Sequence, residues 1–374
     1  MATFAGGVFM SLVHPVAARM ETAQYGEFFT LLRCLILLGI PTIGLQTIFA
    51  HQAVTVASEE DKQRLAKTTR TIMFSVFLLW LLMALGVFIA QDFILTRLRI
   101  SNALTLWMTM FVVLASLWVP ILRGLLQGQQ SFFGLGWIAI IDGVGRFCAM
   151  LVIVLVLKWQ AAGAMFGALP GQVGAILLGI WLTREVFKGI GSHFEWKPWL
   201  AKAIPLTFGF GSLLFMQNAD VIYVQSVFDK DNSPFYMPAA MIGFAMIQFT
   251  MPLVAVMFPK IIRSARRAEK SDALHLTFWT TAGIGSVAAL GCTILPELPI
   301  RILFFTKPEF LISAPLIPWF AWAMLFMMLA SVMVGNLLAR ERFRIVPWLS
   351  IVAVLYGITL YWIKPQLLAM EPFM

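Results

Sequence analysis

About eleven apolar stretches of membrane-spanning length follow one another along this chain, separated by short polar loops. Runs of roughly 20 apolar residues cross a bilayer as helices, because a helix satisfies its own backbone hydrogen bonds where no water is available. Membrane β-strands would instead alternate in polarity over about ten residues. The pattern therefore predicts an all-α, polytopic membrane protein. Its expected spans are residues 2–18, 27–54, 71–94, 103–123, 131–157, 160–183, 204–228, 235–258, 276–296, 317–339 and 343–363.

Composition supports the bilayer as the main solvent of the chain. Of its 374 residues, 60% are hydrophobic and 12% are charged, and the mean hydropathy is +0.87. This is too little polar surface to coat a water-soluble globule of the same size. Residues 1–18 lack the basic segment and the small-residue cleavage site of a secretory signal. We therefore expect the first span to be retained.

The 27 Lys and Arg residues are concentrated in every second loop. With a cytoplasmic N-terminus, 17 of them lie in cytoplasmic loops, whereas 8 lie in the opposite loops and the C-terminal tail. The positive-inside rule therefore predicts a cytoplasmic N-terminus. This sidedness explains the net charge of +9 better than nucleic-acid binding does. The cytoplasmic set comprises Lys62, Arg64, Lys67, Arg70, Arg123, Arg184, Lys188, Lys197, Lys202, Lys260, Arg263, Arg266, Arg267, Lys270, Arg340, Arg342 and Arg344.

The longest polar connection separates six spans from five. It predicts an N-terminal six-helix lobe at 1–185, a cytoplasmic interlobe linker at 186–203, and a C-terminal lobe at 204–374 with five recognisable helices. In each lobe an aromatic turn opens the second span, Tyr25-Gly26-Glu27-Phe28 in one and Ser233-Pro234-Phe235-Tyr236 in the other. Parallel six-helix halves are a common plan among transporters. On that plan the second lobe is one helix short.

Charged residues inside a bilayer are costly, so the few that lie within spans are the best candidates for function. Asp142 and Arg146 are four residues apart in the fifth span, so they share a helix face and can neutralise each other. Two interpretations remain open for this pair. It either lines a transport pathway or only neutralises the helix so that it can insert into the bilayer.

A stripe of Gly163, Gly167 and Gly171 in the sixth span also predicts close helix contact.

Arg33 lies about two turns inside the second span. Its side chain either extends to the headgroups or faces a cavity, where its guanidinium would suit a phosphate or carboxylate. Asp220 belongs to the cluster Gln217-Asn218-Ala219-Asp220 and has no basic neighbour within a turn. It must find a partner on another helix, bind a cation or be protonated. His14 is more often an interfacial residue than a proton relay in such a position.

Motifs of enzymes and metal sites are absent from the sequence. There is no HExxH, P-loop, GxSxG or metal-ligand spacing, so we expect no catalytic residue, no metal and no cofactor. Cys34, Cys148 and Cys292 lie in apolar spans without CxxC spacing and are interpreted as packing residues. A membrane glycosyltransferase or an O-antigen ligase or polymerase should carry a large external loop. The longest external segment here, 297–316, is short and half apolar.

Four short motifs occur in order along the chain. They are Tyr25-Gly26-Glu27-Phe28, the segment 123–132 between spans four and five, Gln217-Asn218-Ala219-Asp220, and Phe258-Pro259-Lys260 at the end of span eight. Together they resemble the polysaccharide or oligosaccharide flippases of the multidrug, oligosaccharidyl-lipid and polysaccharide (MOP) exporter superfamily. The resemblance extends over nearly the whole chain.

The resemblance implies two six-helix lobes in a MATE-like V that alternate in access around a cationic cavity. The implied cargo is an undecaprenyl-pyrophosphate-linked oligosaccharide, moved across the bacterial inner membrane for O-antigen, capsule or exopolysaccharide synthesis. Implied partners are the bilayer, a polysaccharide polymerase and glycosyltransferases, and the coupling ion is either a proton or sodium. Arg33 and Arg146 are the implied pyrophosphate contacts. The full candidate substrate-binding set is Arg33, Arg146, Asp142, Asp220, Gln217, Asn218 and His14.

Two other transporters of the same fold remain as alternatives. One is a lipid II flippase. The other is a MATE-type cation-coupled drug antiporter, which should favour an acidic or aromatic cavity for cationic drugs. The chain instead places two arginines, Arg33 and Arg146, and two aspartates inside its spans.

Overall fold

The computed structural model of the chain describes residues 9, 12–54, 56, 58–188, 196–229, 231–247 and 273–370. Nearly all of these residues are helical, and no β-strand occurs within these ranges. Eight of the helices are long and apolar enough to cross a membrane, or nine if one bent pair counts as a single span. The predicted all-α polytopic membrane fold is confirmed.

The described residues up to position 188 form ten helices joined by short turns. Helix α7 continues directly into a π-helical segment, Leu151–Val156. The helices are α1 at 12–17, α2 Thr22–Leu38, α3 Ile40–Val54, α4 Glu59–Ile89, α5 Gln91–Arg97, α6 Ala103–Gly128, α7 Phe132–Met150, α8 Gln160–Phe166, α9 Ala168–Leu182 and α10 Arg184–Phe187.

From residue 196 onward, the described ranges contain six helices and three 3-10 turns. The helices are α11 Trp196–Val227, α12 at 237–247, α13 Ala273–Ile294, α14 Glu297–Leu303, α15 Ile317–Ala339 and α16 Val346–Met370. The 3-10 turns are Ser233–Tyr236, Pro308–Leu316 and Phe343–Ile345, and each leads directly into the helix that follows it.

The predicted single span at 27–54 is corrected to two helices, α2 and α3, bent by 40° at Gly39. The proline at position 41 explains the break, because its ring excludes a continuous helix and it has no N–H to donate. Proline is well tolerated in the first turn of a helix, where Pro41 lies in α3. The hydroxyl of Thr42 donates a hydrogen bond of 2.8 Å to the Gly39 carbonyl, which satisfies a backbone group freed by the bend.

Several predicted features extend beyond the described residues. The first span (2–18), the eighth span (235–258) and the linker (186–203) are described only in part. The basic loop at 259–271 and the motif Phe258-Pro259-Lys260 lie outside the described residues altogether.

The chain divides into two compact units. The first comprises residues 1–20 and 34–207, and the second comprises 21–33 and 208–374. The boundaries therefore fall inside α2, directly after Arg33, and inside α11. The expected lobes at 1–185 and 204–374 stay a prediction.

In the first unit α6 packs against α3 and α9, and α7 packs against α9. Glycines permit the closest of these approaches. A Cβ added at Gly124 would lie 2.5 Å from the Gln46 carbonyl oxygen, and one at Gly128 would lie 2.4 Å from the Ala53 Cβ. Any larger side chain would force α6 away from α3.

In the second unit a cluster of aromatic rings fixes the first half of α2. The buried ring of Tyr25 lies 5.7 Å from that of Phe304 and 5.5 Å from that of Phe310, measured between centroids. Phe310 also packs edge-on against Phe235, at 6.1 Å. Such contacts stabilise beyond the burial of apolar area alone. They hold α2 in the orientation that directs Arg33 into the second unit.

Candidate functional site

The structure places the seven predicted site residues in two groups, one within each unit. The first unit holds His14, Asp142 and Arg146, and the second holds Arg33, Gln217, Asn218 and Asp220.

Arg33 is buried in the second unit, with 2% of its surface exposed. Its Nη1 donates a hydrogen bond of 3.1 Å to Oδ1 of Asn218. Its guanidinium carbon lies 4.3 Å from the ring centroid of Phe29 and 4.0 Å from that of Phe244. The guanidinium is thus held between two aromatic rings by cation–π attraction. This burial rules out the interpretation that the side chain extends to the headgroups.

Local helix geometry explains two of these contacts. Phe29 precedes Arg33 by four residues on α2, so the two side chains share a face of the helix. On α11 the Nδ2 of Asn218 donates a hydrogen bond of 2.7 Å to the Leu214 carbonyl. That bond orients the amide so that its oxygen is free to accept from Arg33.

Asp220 finds its hydrogen-bond donor in Tyr236, at the end of a 3-10 turn. The Tyr236 hydroxyl donates to Asp220 Oδ2 at 2.8 Å. The structure thus provides a hydrogen-bond partner on another element, while a role for Asp220 in binding stays a prediction. Within the described ranges the second oxygen, Oδ1, is buried without a hydrogen bond.

Tyr236 was not predicted as a site residue. It belongs to the Ser233-Pro234-Phe235-Tyr236 turn, which is visible in the sequence as an aromatic entry to a span. Its hydroxyl reaches a carboxylate 16 residues earlier in the chain, across a loop. The intramembrane Asp220, with no partner on its own helix, was the only signal that such a donor was needed.

Gln217 lies beside Asn218 in the chain but faces a different neighbour. Its Nε2 is 3.5 Å from the Ser331 hydroxyl on α15, at the long limit of a hydrogen bond. Successive helical residues point about 100° apart, which separates Gln217 from the Arg33 contact. The contact joins α11 to α15, and a role in substrate binding stays a prediction.

Asp142 in the first unit has two arginine partners, although the sequence indicated one. Nη2 of Arg123 donates to Asp142 Oδ2 at 3.0 Å, whereas Nη2 of Arg146 lies 3.9 Å from Oδ1. The sequence placed Arg123 in a cytoplasmic loop after a span ending at 123. The structure corrects the loop assignment, because α6 continues to Gly128 and Arg123 lies inside a helix that contacts α7. Its cytoplasmic location stays a prediction.

Arg146 keeps unused hydrogen-bonding capacity. It is 7% exposed, and at 3.9 Å its contact with Asp142 is an ion pair too long for a hydrogen bond. Its Nε is buried and meets no acceptor in the part of the chain that the structure describes. Buried polar groups are nearly always hydrogen-bonded. With two arginines around one carboxylate, the group Arg123–Asp142–Arg146 carries an excess positive charge.

Close contact between α7 and α9 fixes the backbone beside this group. A Cβ added at Gly171 would lie 2.3 Å from the Asp142 carbonyl oxygen and 2.7 Å from the Arg146 amide nitrogen. A Cβ at Gly145 would lie 2.6 Å from the Gly171 Cα. The glycine stripe therefore makes the close helix contact that the sequence predicted, and Gly145 faces α9 rather than open space.

His14 lies in α1, half-buried, in the same unit as Asp142. Its assignment to a binding site stays a prediction. Among the described residues no group of three or more His, Cys, Asp or Glu side chains is arranged to hold a metal ion. The three cysteines are free thiols.

Comparison with solved structures shows which proteins share this architecture. A lipid II flippase MurJ in an inward closed conformation matches with a TM-score of 0.70 and 15% identity, over 94% of this chain and 78% of that one. An inward-facing multidrug resistance MATE transporter of the MOP superfamily matches with a TM-score of 0.62 and 12% identity, over 98% and 94%. The chain has the fold of MOP-superfamily transporters.

A MOP-superfamily transporter from Pyrococcus furiosus, described by the reverse polarity of its binding pocket, matches with a TM-score of 0.61 and 12% identity. That match covers 99% of this chain and 92% of the other. No protein-family model and no curated protein matches the sequence. At these identities the likeness establishes the fold and the multi-pass membrane architecture.

Proposed function

We propose that the chain is a flippase that moves undecaprenyl-pyrophosphate-linked oligosaccharide units across the bacterial inner membrane, with its N-terminus in the cytoplasm. The observation that carries the proposal is the excess of positive charge around the buried carboxylate of Asp142. Arg123 and Arg146 share this one carboxylate, and the buried Nε of Arg146 meets no acceptor within the described ranges. A substrate whose headgroup is a diphosphate supplies the missing negative charge and acceptors.

Arg33 supports the same assignment from the second unit. It is held rigidly between Phe29 and Phe244, so its remaining donors are presented in a fixed direction. A planar guanidinium can grasp phosphate oxygens in pairs, which an ammonium group cannot do. Burial in an apolar setting strengthens each such contact because water does not compete. We propose that alternating access of the two lobes carries the headgroup across the bilayer.

A lipid II flippase is the second candidate, and one observation favours it. The MurJ structure matches this fold with a TM-score of 0.70, against 0.62 and 0.61 for the two other transporters. Lipid II also carries its sugars on a polyprenyl diphosphate, so the same arginines would serve it. The excess of buried positive charge argues against export of cationic drugs, since like charges repel.

Transport by the purified protein in liposomes tests the proposal. We expect the wild-type chain to expose a fluorescent polyprenyl-diphosphate oligosaccharide on the opposite leaflet, and the double variant Arg33→Ala, Arg146→Ala to lose this activity while eluting as a folded species. Imposing a proton or a sodium gradient in separate runs identifies the coupling ion. Equal transport by the double variant contradicts the proposal.

The choice of glycan is tested with the same liposomes. Lipid II and a lipid-linked oligosaccharide of a surface polysaccharide are compared at matched concentrations. Faster movement of the lipid-linked oligosaccharide supports a role beside a polysaccharide polymerase and glycosyltransferases. Transport of lipid II alone supports the lipid II flippase.

A further inference from the structure

The carboxylate of Asp142 stands between two guanidinium groups and uses a different oxygen for each. Arg123 contacts Oδ2 at 3.0 Å and Arg146 contacts Oδ1 at 3.9 Å. Arginine grasps carboxylate and phosphate oxygens in the same geometry. The two guanidinium groups are therefore already spaced to bind a small anionic group between them. In the structure the carboxylate of Asp142 occupies that position.

The two arginines differ in ways that suit exchange of one anion for another. Arg123 has 31% of its side chain exposed, so a ligand can reach it, whereas Arg146 has 9% exposed. Arg146 also has a buried Nε with no acceptor among the residues described here. The inner guanidinium is thus charged and desolvated, and its Nε–H is a donor without an acceptor in the part of the chain that the structure describes.

We propose that Arg123, Asp142 and Arg146 form an anion-exchange site, in which Asp142 occupies the two guanidinium groups until the diphosphate of the lipid-linked substrate replaces it. The inference rests on the proposed function for the identity of the lipid and assigns Arg123 as a binding residue. A diphosphate brings more negative charge and more acceptor oxygens than one carboxylate, which satisfies the open donors of Arg146. The close contact at Gly171 holds the backbone of Asp142 and Arg146 in place during the exchange.

Asp142 thus competes with the diphosphate for the guanidinium groups of Arg123 and Arg146. Removing its charge while keeping its shape, in Asp142→Asn, leaves two uncompensated arginines and should tighten diphosphate binding. Removing one of the two grasping groups, in Arg123→Gln, should weaken it. A purely structural Asp142 predicts no tightening, and a conventional ligand-binding aspartate predicts a loss.

Binding to the purified full-length protein in detergent tests these opposed effects by isothermal titration calorimetry. The probes are inorganic pyrophosphate and farnesyl diphosphate. We expect about tenfold tighter binding of pyrophosphate by Asp142→Asn and about tenfold weaker binding by Arg123→Gln. The matched control is Arg64→Gln, which removes the same charge from an exposed ion pair with Glu60 and should leave the affinity unchanged.

Farnesyl diphosphate distinguishes a lipid headgroup from a free anion. We expect it to compete with inorganic pyrophosphate for the wild-type protein, and pyrophosphate binding without such competition overturns the assignment to a lipid. Unchanged pyrophosphate affinity in Arg123→Gln contradicts the proposed binding site. If Asp142→Asn cannot be purified, the measurement on Arg123→Gln alone decides. Binding is measured without transport, so a failed flippase assay with intact binding contradicts only the proposed function.

Discussion

Arg123 donates a hydrogen bond of 3.0 Å to Asp142, from α6 to α7 and across 19 positions of the chain. This contact is shorter than the 3.9 Å ion pair that Asp142 makes with Arg146 on its own helix. The principal counter-ion of the carboxylate therefore comes from a neighbouring helix. The pair ties α6 to α7 and supplies the buried Asp142 carboxylate with a counter-ion, without which its charge would be costly.

Asp142→Asn should destabilise the unliganded protein, because it leaves a buried arginine without its counter-ion. We expect a loss of about 2 to 4 kcal/mol in the free energy of unfolding. Adding Arg146→Gln should recover most of this loss, because the remaining arginine, Arg123, is partly exposed. Apparent melting temperatures in detergent measure both effects. An unchanged melting temperature for Asp142→Asn alone argues against a counter-ion role.

Arg33→Lys should weaken the second unit although it keeps the positive charge. The ammonium group lacks the flat guanidinium that fills the space between the rings of Phe29 and Phe244. We expect a loss of about 1 to 2 kcal/mol, which is the usual range for desolvated cation–π contacts. Thermal unfolding of purified protein checks this, with the exposed Arg64→Lys as the control. Equal melting temperatures for Arg33→Lys and wild type contradict the stacking argument.

Gly171→Ala should separate α7 from α9, because its Cβ would lie 2.3 Å from the Asp142 carbonyl oxygen. Overpacking of this kind costs about 1 to 3 kcal/mol. The control is Gly86→Ala in α4, where an added Cβ meets no atom within 4 Å and helix propensity favours alanine. We expect Gly171→Ala to lower both the melting temperature and transport, and Gly86→Ala to lower neither. A stable, fully active Gly171→Ala would show that the two helices can move apart without consequence.

Tyr236→Phe should destabilise the protein, because it removes the hydrogen-bond donor of Asp220. The variant removes one oxygen and leaves Oδ2 of a buried carboxylate without its hydrogen bond. We expect a loss of about 1 to 3 kcal/mol in stability. In the variant with Asp220→Asn the further effect of Tyr236→Phe should be smaller, which a double-mutant cycle measures. The exposed Tyr361→Phe serves as the control, and strictly additive effects of the two substitutions contradict a direct interaction.

The topology predicted from the positive residues is open to a direct test. In a background with Cys34, Cys148 and Cys292 replaced by serine, Lys62→Cys should resist a membrane-impermeant maleimide added to spheroplasts, because the basic start of α4 is expected in the cytoplasm. Lys158→Cys, in a loop expected outside, should react. Both positions are exposed. The reverse labelling pattern would invert the proposed orientation.

The apolar pattern predicted the positions of the helices well. Each predicted span coincides with at least one described helix or helical segment, because twenty apolar residues in lipid have few alternatives to a helix. The break at Gly39 was missed, since hydropathy continues unchanged through Pro41 while the backbone bends. The predicted span 103–123 also ends earlier than α6, which continues through Arg123 to Gly128.

The partners of the buried charges were harder to predict than the charges themselves. Sequence spacing identified Asp142 with Arg146, because residues four apart share a helix face. It could not identify Arg123 or Tyr236, whose partners lie 19 and 16 positions away. No spacing rule links residues on different helices.

By itself the sequence determined that the chain is a bundle of membrane helices and that Arg33, Asp142, Arg146 and Asp220 lie within them. Only the tertiary structure decided that Asp142 is shared by two arginines, that Arg33 is held between two rings and that Asp220 is bonded to Tyr236. The reason is physical. The hydrophobicity of a segment can be calculated from that segment alone. The partner of a buried charge depends instead on which helix packs against it.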